Sequence, residues 1–152
     1  MENRLNRFHD AQERNWEIAR NEMQSFKKRS HWMWYIFPQL IGLGKSPTSE
    51  FYGIQGIDEA RNYLGDPILG NRLLELVDLL NTAPVEVTAK DIFGFPDVLK
   101  FKSCLTLFDY TITSDSGVSD VSINSFQVCL GRFFNGEKCL KTLQLLDNHQ
   151  IG

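Results

Sequence analysis

The sequence predicts an all-α fold, a bundle of about six or seven helices with one irregular aromatic-rich segment through its core. Apolar residues recur at three- and four-residue spacings through most of the 152 residues, as they do on the buried face of a helix. Residues that favour helix N-termini stand where several of these patterns begin. No alternating apolar and polar pattern extends beyond a few residues, so few strands are expected. The length suits one domain, which we expect to span residues 1–152.

The first helix is predicted over residues 5–27. Its apolar stripe consists of Leu5, Phe8, Trp16, Ala19, Met23 and Phe26. Gln12 falls in phase with this stripe, where an apolar residue is expected. It is either a half-buried residue at the edge of the stripe or a core-facing amide, and a buried amide must find a hydrogen-bond partner.

Three further helices are predicted in the middle of the chain. A short one spans residues 58–64. The next opens at Asp66-Pro67, where an N-cap carboxylate precedes proline at the first helical position, and ends near Asn81. Its inward residues are predicted to be Ile68, Leu69, Leu73, Leu76, Val77 and Leu80. Thr88 can cap a single turn that Gly94 stops.

Asp97 is predicted to cap the next helix, whose apolar face is formed by Val98, Phe101, Leu105, Phe108 and Ile112. Residues 113–119, rich in Ser, Asp and Gly, are predicted to be a loop. Two helices follow it. The first directs Ile123, Phe126, Leu130 and Phe133 inward and ends at Asn135-Gly136, and the second directs inward Leu140, Leu143 and Leu146.

Residues 30–52 combine large rings with polar side chains more densely than any other stretch. The rings are Trp32, Trp34, Tyr35 and Phe37, and each can bury ~150–250 Å². Prolines and glycines prevent most of the stretch from forming one regular element: Pro38, Gly42, Gly44 and Pro47. Residues 32–37 are the one strand candidate in the chain. Irregular backbone threaded through a core often shapes a binding site.

Composition excludes several classes of protein. A net charge of −3 gives no overall field that would attract nucleic acid, so no nucleic-acid partner is expected. No apolar run approaches the ~20 residues that span a bilayer, so no membrane association is expected. Three cysteines without C-x-x-C spacing fit neither a disulfide framework nor a zinc site. These features indicate a soluble protein of the reducing cytoplasm.

Familiar catalytic and cofactor motifs are missing. Gly44-Lys45-Ser46 resembles the end of a P-loop, but that motif requires glycine where Gln39 stands and a helix where Pro47 follows. The three histidines, His9, His31 and His149, have no metal-binding spacing, and neither G-x-S-x-G nor H-E-x-x-H occurs. We therefore predict no metal and no cofactor.

Polar residues set among apolar ones form the candidate site. His31 is the candidate general acid or base, since imidazole both gives and takes protons near neutrality. The candidate ligand-binding residues are Gln12, Trp32, Trp34, Gln39, Lys45, Ser46, Lys100, Lys102 and Ser103. Ammonium and amide groups beside rings suit an anionic, partly planar small molecule. The alternative is that the lysines are solvated, and that the rings and His31 belong to the core.

Several strings resemble those of one known family. They are F-H-D-A-Q at residues 8–12, K-R-S-H-W-M-W-Y-I-F-P-Q-L-I-G-L-G at residues 28–44, D-E-A-R-N-Y-L at residues 58–64, and D-V-L-K-F-K-S-C-L-T-L-F at residues 97–108. Over nearly its whole length the chain resembles the domain of unknown function 1810 family. The resemblance implies an all-helical, Rv-1873-like fold and no established activity. Some members are labelled calpastatin, but calpastatin inhibitory regions are disordered, whereas this composition is that of a globular protein.

Two functions are compatible with the sequence. The first is a pocket for a nucleotide-like or phosphorylated small molecule, with hydrolysis left open. The second is a protein-interaction or regulatory module without catalysis, in which residues 32–37 present exposed rings to a partner. Burial distinguishes them, because a flat exposed patch favours the interaction module. Buried tryptophans and a pocket away from His31 weaken the enzyme hypothesis. The oligomeric state is not predicted.

Overall fold

The computed structural model describes residues 4–115 and 124–151. This part of the chain contains nine helices and no strand, which confirms the all-α class and exceeds the predicted six or seven helices. The helices are α1 (Asn6–Gln24), α2 (Met33–Ile36), α3 (Pro47–Tyr52), α4 (Ile57–Gly65), α5 (Leu69–Leu80), α6 (Ala89–Phe93), α7 (Asp97–Asp115), α8 (Ser125–Phe134) and α9 (Leu140–Ile151).

The extra helices are short and lie in the aromatic-rich segment. Residues 32–37, predicted as the one strand candidate, instead contain the four-residue helix α2. The strand prediction is therefore wrong. β-branched and aromatic residues favour strands only where a neighbouring strand can pair, and here the backbone amides of Ile36 and Phe37 donate to the carbonyls of Trp32 and Met33.

α7 is the central helix of the core. Its predicted inward residues Phe101, Leu105 and Phe108 have no exposed surface, and α7 packs against α4, α6, α8 and α9. α7 continues to Asp115, into the stretch predicted as a loop, and residues 116–119 and Ile123 lie outside the described residues. Asp97 is the first residue of α7 rather than the residue before it.

Side-chain capping groups lie near two of the predicted helix starts, but α5 begins at Leu69, two residues after the predicted first position Pro67. The Asp66 carboxylate accepts from the backbone amides of Ile68 and Leu69, at 2.9 and 3.0 Å. Thr88 forms a capping box with Asp91 at the start of α6, and Gly94 follows that helix with a φ of 70°. Such side-chain caps satisfy amides that have no partner within the helix.

Two predicted inward leucine and isoleucine positions are exposed. Ile68 is 48% exposed and Leu140 is 72% exposed. Both positions lie at the very start of a helix, where no preceding turn covers the side chain. The helical periodicity identifies which face of each helix is buried. It does not show whether the first apolar side chain of that face is covered by other residues.

The segment after α2 pairs with the chain after α3 through an isolated β-bridge. Leu40 and Ile54 form an isolated parallel bridge, with the backbone amide of Ile54 donating to the Gln39 carbonyl at 2.9 Å. Gly53 is required here, because a Cβ at this position would lie 2.7 Å from the Ile41 side chain. The bridge fixes the backbone of Gln39 near α7 and α9.

Candidate ligand cavity

A cavity of about 730 Å³ opens between the first turns of α7, the loop that joins α8 to α9, and the segment after α2. This volume lies within the range of small-molecule sites. The cavity is lined by Gln39, Leu43, Leu99, Lys100, Lys102, Ser103, Glu137, Lys138, Cys139 and Leu140. Four residues predicted from the sequence are therefore brought together here: Gln39, Lys100, Lys102 and Ser103.

The helical repeat of α7 explains why these residues meet. Leu99, Lys102 and Ser103 are three and four positions apart, so they share one face, and Lys100 lies beside that face. The opposite face is held in the core by Phe101. Burial of one side of the helix thus orients the polar side toward the cavity.

Lys100 carries a charge that its surroundings only partly neutralise. Its Nζ lies 3.4 Å from Asp97 Oδ1, while Lys28 Nζ lies 2.8 Å from the other oxygen of the same carboxylate. One carboxylate therefore serves two ammonium groups, and its shorter contact is with Lys28. The Nζ of Lys100 also lies 4.8 Å from the centre of the Trp34 ring, within the distance of a cation–π contact.

The other two lysines of the cavity are also held loosely. Lys102 Nζ lies 3.6 Å from Glu137 Oε2, and the Glu137 side chain is 76% exposed. Lys138 Nζ lies 3.5 Å from Asp109 Oδ2. Both separations exceed the 2.7–3.2 Å range of N–H···O hydrogen bonds. Three lysines and one glutamate thus line the cavity. The lysine ammonium groups remain accessible to an anionic ligand.

Three leucines form the apolar part of the cavity wall. Leu99 and Leu140 are 52% and 72% exposed, and Leu43 is half-buried. No aromatic side chain is among the lining residues. The wall therefore suits an aliphatic or weakly polar portion of a ligand, and the predicted aromatic wall is not part of this cavity.

Sequence reasoning did not find the contribution of the α8–α9 loop. Asn135 and Gly136 both have positive φ values, 55° and 80°, and they reverse the chain after α8. The reversal returns Glu137, Lys138 and Cys139 to the side of α7. The Asn-Gly pair predicts the turn, but nothing local indicates which side chains the turn delivers to a distant helix.

Cys139 is fastened to α7 by its backbone and by its sulfur. Its amide donates to Thr106 Oγ1 at 2.9 Å, and the Ser103 hydroxyl lies 3.3 Å from Sγ. Burial of the sulfur raises the thiol pKa, but hydrogen bonds from Ser103, from Thr142 and from the backbone of Lys141 outweigh it, so the pKa of Cys139 is lowered. Cys139 therefore places a thiol with a lowered pKa in the cavity.

Gln12 is not part of the cavity. It is 1% exposed, and its Nε2 donates to the Tyr35 carbonyl at 2.7 Å and contacts the Tyr63 hydroxyl at 3.0 Å. Its Oε1 accepts from Arg72 at 3.3 Å. These contacts satisfy the buried amide from within the core, as a core-facing amide requires, and its predicted ligand-binding role finds no support here.

The two tryptophans of the aromatic segment differ in environment. Trp32 is 1% exposed, and its Nε1 donates to Glu22 Oε1 at 2.9 Å. Trp34 is half-buried and reaches the cavity only indirectly, beneath the Lys100 ammonium. Because Met33, Tyr35, Ile36 and Phe37 are buried as well, residues 32–37 do not form the flat exposed ring patch that an interaction module would need.

Three predicted residues are exposed and outside the cavity: His31, Lys45 and Ser46. The Ser46 hydroxyl accepts from the Ser49 amide at 3.1 Å and caps α3. The catalytic role of His31 remains a prediction that this cavity does not support. Among the described residues, no cluster of three or more His, Cys, Asp or Glu side chains could hold a metal ion.

Comparison with known proteins shows the family of this chain. The sequence profile of a family described as "Protein of unknown function (DUF1810)" matches residues 2–146. The chain belongs to this family. The predicted family resemblance is thereby confirmed, and the cavity residues Gln39 to Leu140 all lie inside the part that matches the DUF1810 profile.

A solved structure supports the fold of this DUF1810 protein. The crystal structure of the conserved hypothetical protein Rv1873 from Mycobacterium tuberculosis is 36% identical to the chain, with a TM-score of 0.85. The match covers 94% of this chain and 96% of that chain. No curated protein matches the sequence. Within the described residues, no helix is long and apolar enough to cross a membrane.

Proposed function

We propose that this DUF1810 protein binds a small phosphorylated or otherwise anionic molecule in the cavity between α7 and the α8–α9 loop. The observation that carries the proposal is the meeting of Lys100, Lys102 and Lys138 around one concave space, where each ammonium group lies 3.4–3.6 Å from its carboxylate partner. Lysine ammonium groups bind phosphate and carboxylate oxygens through charge-assisted hydrogen bonds. Apolar side chains at the rim would contact the uncharged part of the ligand.

The geometry favours some ligands over others. Gln39 and Ser103 offer amide and hydroxyl groups that fix orientation by hydrogen bonding. The absence of an aromatic lining side chain removes the stacking surface that a free nucleobase would use, so phosphorylated compounds with a sugar or aliphatic body fit better than a base alone. Hydrolysis is not included in the proposal, because the predicted general base His31 lies outside the cavity.

A thermal-shift panel tests the proposal. Sugar phosphates, nucleotides, pyrophosphate and their uncharged parent compounds are each added at millimolar concentration. At least one phosphorylated compound is expected to raise the melting temperature, by roughly 5–10 °C when its concentration is 100 times Kd, while its parent compound has little effect. The shift should shrink as salt is added, since salt screens partly exposed charges.

Lysine variants locate the binding. Lys100→Met and Lys102→Met keep the aliphatic stems but remove the charges, and each is expected to weaken binding of the responding compound about 10-fold or more, the effect of losing a hydrogen bond to a charged group. Lys90→Met is the matched control, because Lys90 is an exposed lysine of α6 outside the cavity. A panel without any responder, or equal losses in all three variants, would refute the proposal.

A further inference from the structure

The three cysteines have very different surroundings. Cys104 and Cys129 have no exposed surface, and burial raises the pKa of both thiols, so they are expected to be unreactive while the protein is folded. Cys139 is half-buried, lines the cavity and precedes α9 directly. A reagent that enters the cavity therefore meets this sulfur.

The groups around the Cys139 sulfur favour its ionised form. The Ser103 hydroxyl has one proton and two acceptors within reach, the Leu99 carbonyl at 3.0 Å and Cys139 Sγ at 3.3 Å. A thiolate competes better for that proton than a neutral thiol does. The backbone amides of Lys141 and Thr142 in the first turn of α9 also lower the pKa of the Cys139 thiol, because the positive end of a helix favours an anion.

A buried hydroxyl completes this arrangement. Thr142 is fully buried, and its Oγ1 has no hydrogen-bond partner among the described residues. The same hydroxyl is one of the groups near the Cys139 sulfur that lower the pKa of the thiol. An unpaired buried hydroxyl costs free energy, and ionisation of the neighbouring sulfur supplies the acceptor that it otherwise lacks.

We propose that Cys139 is a covalent modification site for small anionic disulfides, which the cavity lysines attract and orient. The inference rests on the proposed function in one respect: the lysines proposed to bind an anionic ligand would also bind the anionic groups of the disulfide. Attack by the thiolate Sγ on one sulfur of R–S–S–R forms a Cys139–S–S–R bond and breaks the original S–S bond. The departing R–S⁻ takes up a proton from water; Cys139 is oxidised and the departing sulfur is reduced.

The charges lining the cavity determine which disulfide is favoured. Lys100, Lys102 and Lys138 line it together with Cys139 and Glu137. Asp97 and Asp109 lie 3.4 and 3.5 Å from Lys100 and Lys138, and Lys28 shares Asp97 with Lys100, so ammonium groups outnumber carboxylates by one. The carboxylates of an anionic reagent would be attracted here and the ammonium groups of a cationic reagent repelled. A volume of about 730 Å³ accommodates one arm of a peptide-sized disulfide.

Three probes of different charge test the inference on the reduced, full-length protein. They are glutathione disulfide, which is anionic, hydroxyethyl disulfide, which is neutral, and cystamine, which is cationic. Mass spectrometry follows modification of each cysteine with time at neutral pH, and each rate is divided by that of a cysteine model peptide. Cys139 is expected to prefer glutathione disulfide over cystamine by about 10-fold or more, in the range of electrostatic steering.

The lysine variants separate steering from thiol reactivity. Lys102→Met and Lys100→Met are expected to slow the reaction with glutathione disulfide several-fold and to leave that with hydroxyethyl disulfide nearly unchanged, whereas Lys90→Met changes neither. Cys104 and Cys129 are internal controls, since their modification would report unfolding. If a variant unfolds, the three-probe comparison on the wild-type protein still decides the inference.

The two proposals fail in different ways. A Cys139 that reacts no faster with glutathione disulfide than with cystamine would overturn the modification site, even in a protein that binds a phosphorylated compound. Conversely, a rapid and anion-selective reaction in a protein that binds no phosphorylated compound would support the modification site and count against the proposed function.

Discussion

Glu22 and Trp32 show how single residues make the aromatic segment part of the core. The Glu22 carboxylate accepts from the backbone amides of Arg29 and Ser30 at 2.8 and 3.0 Å, and from the Trp32 indole at 2.9 Å. The Ser30 hydroxyl also donates to this carboxylate, so one acidic side chain satisfies four donors of the chain that leaves α1. The sequence does not show that Glu22 and Trp32 contact each other, because a turn rather than a regular helical spacing separates them.

The neighbours His31 and Trp32 are expected to respond oppositely to substitution. Trp32→Ala removes a fully buried ring and should lower the free energy of unfolding by ~3–5 kcal/mol. His31→Ala removes an exposed side chain and should change it by no more than ~0.5 kcal/mol. Denaturant unfolding of both variants measures the difference. A large loss in His31→Ala would show that this histidine is structural.

Lys100 marks the limit of prediction at the residue scale. Its residue type and its place beside the buried face of α7 were enough to make it a candidate. Asp97 lies three residues earlier on the same helix, a spacing that brings side chains together. The Trp34 ring could be named only from the structure, because it is distant in sequence. Gln12 is the opposite case. Its position on the apolar stripe suggested a ligand-binding residue, but its buried amide hydrogen-bonds within the core.

At the scale of elements, helix faces could be predicted but junctions could not. Periodicity identifies the buried sides of α1, α5 and α7, because regular spacing on a helix places the same side toward the core. α2 was assigned to a strand because a four-residue helix is too short to display a period. The α8–α9 loop was recognised only as a turn, and half of the cavity comes from it and from the adjoining segment after α2.

The link between α1 and the segment that follows it should weaken in acid. Burial raises the pKa of Glu22, but its hydrogen bonds from Ser30, Arg29 and Trp32 outweigh that effect and leave the pKa lowered. A carboxyl whose pKa is lower in the folded state stabilises the protein above its unfolded value of ~4.3, and the stabilisation is lost as the pH falls through the folded pKa.

Glu22→Gln is the variant that isolates this effect. At neutral pH it should melt at a lower temperature than the wild type, by an amount corresponding to the ~1.5–3 kcal/mol of a hydrogen bond to a charged group. The difference in melting temperature should narrow below about pH 4. Glu13→Gln, an exposed change on the same helix, is the control. A difference that stays constant from pH 7 to pH 3 would contradict the account.

At the scale of the whole molecule, the fold class and the family followed from the sequence, and the cavity did not. Helical periodicity is a local property, whereas the cavity joins Gln39, the residues around Lys100 and the residues around Cys139, which are separated by long stretches of chain. The similarity to Rv1873, with a TM-score of 0.85, supports the helical architecture that brings these stretches together.

The central claim is that the cavity beside α7 binds small anionic molecules. The most direct test is a titration of the ¹⁵N-labelled protein with the best phosphorylated compound of the panel, followed by the backbone amide signals in NMR spectra. The account predicts saturable shifts centred on residues 39–43, 99–103 and 137–140, with smaller changes at His31, Lys45 and Ser46. Shifts centred on those three exposed residues, with residues 99–103 unaffected, would contradict it.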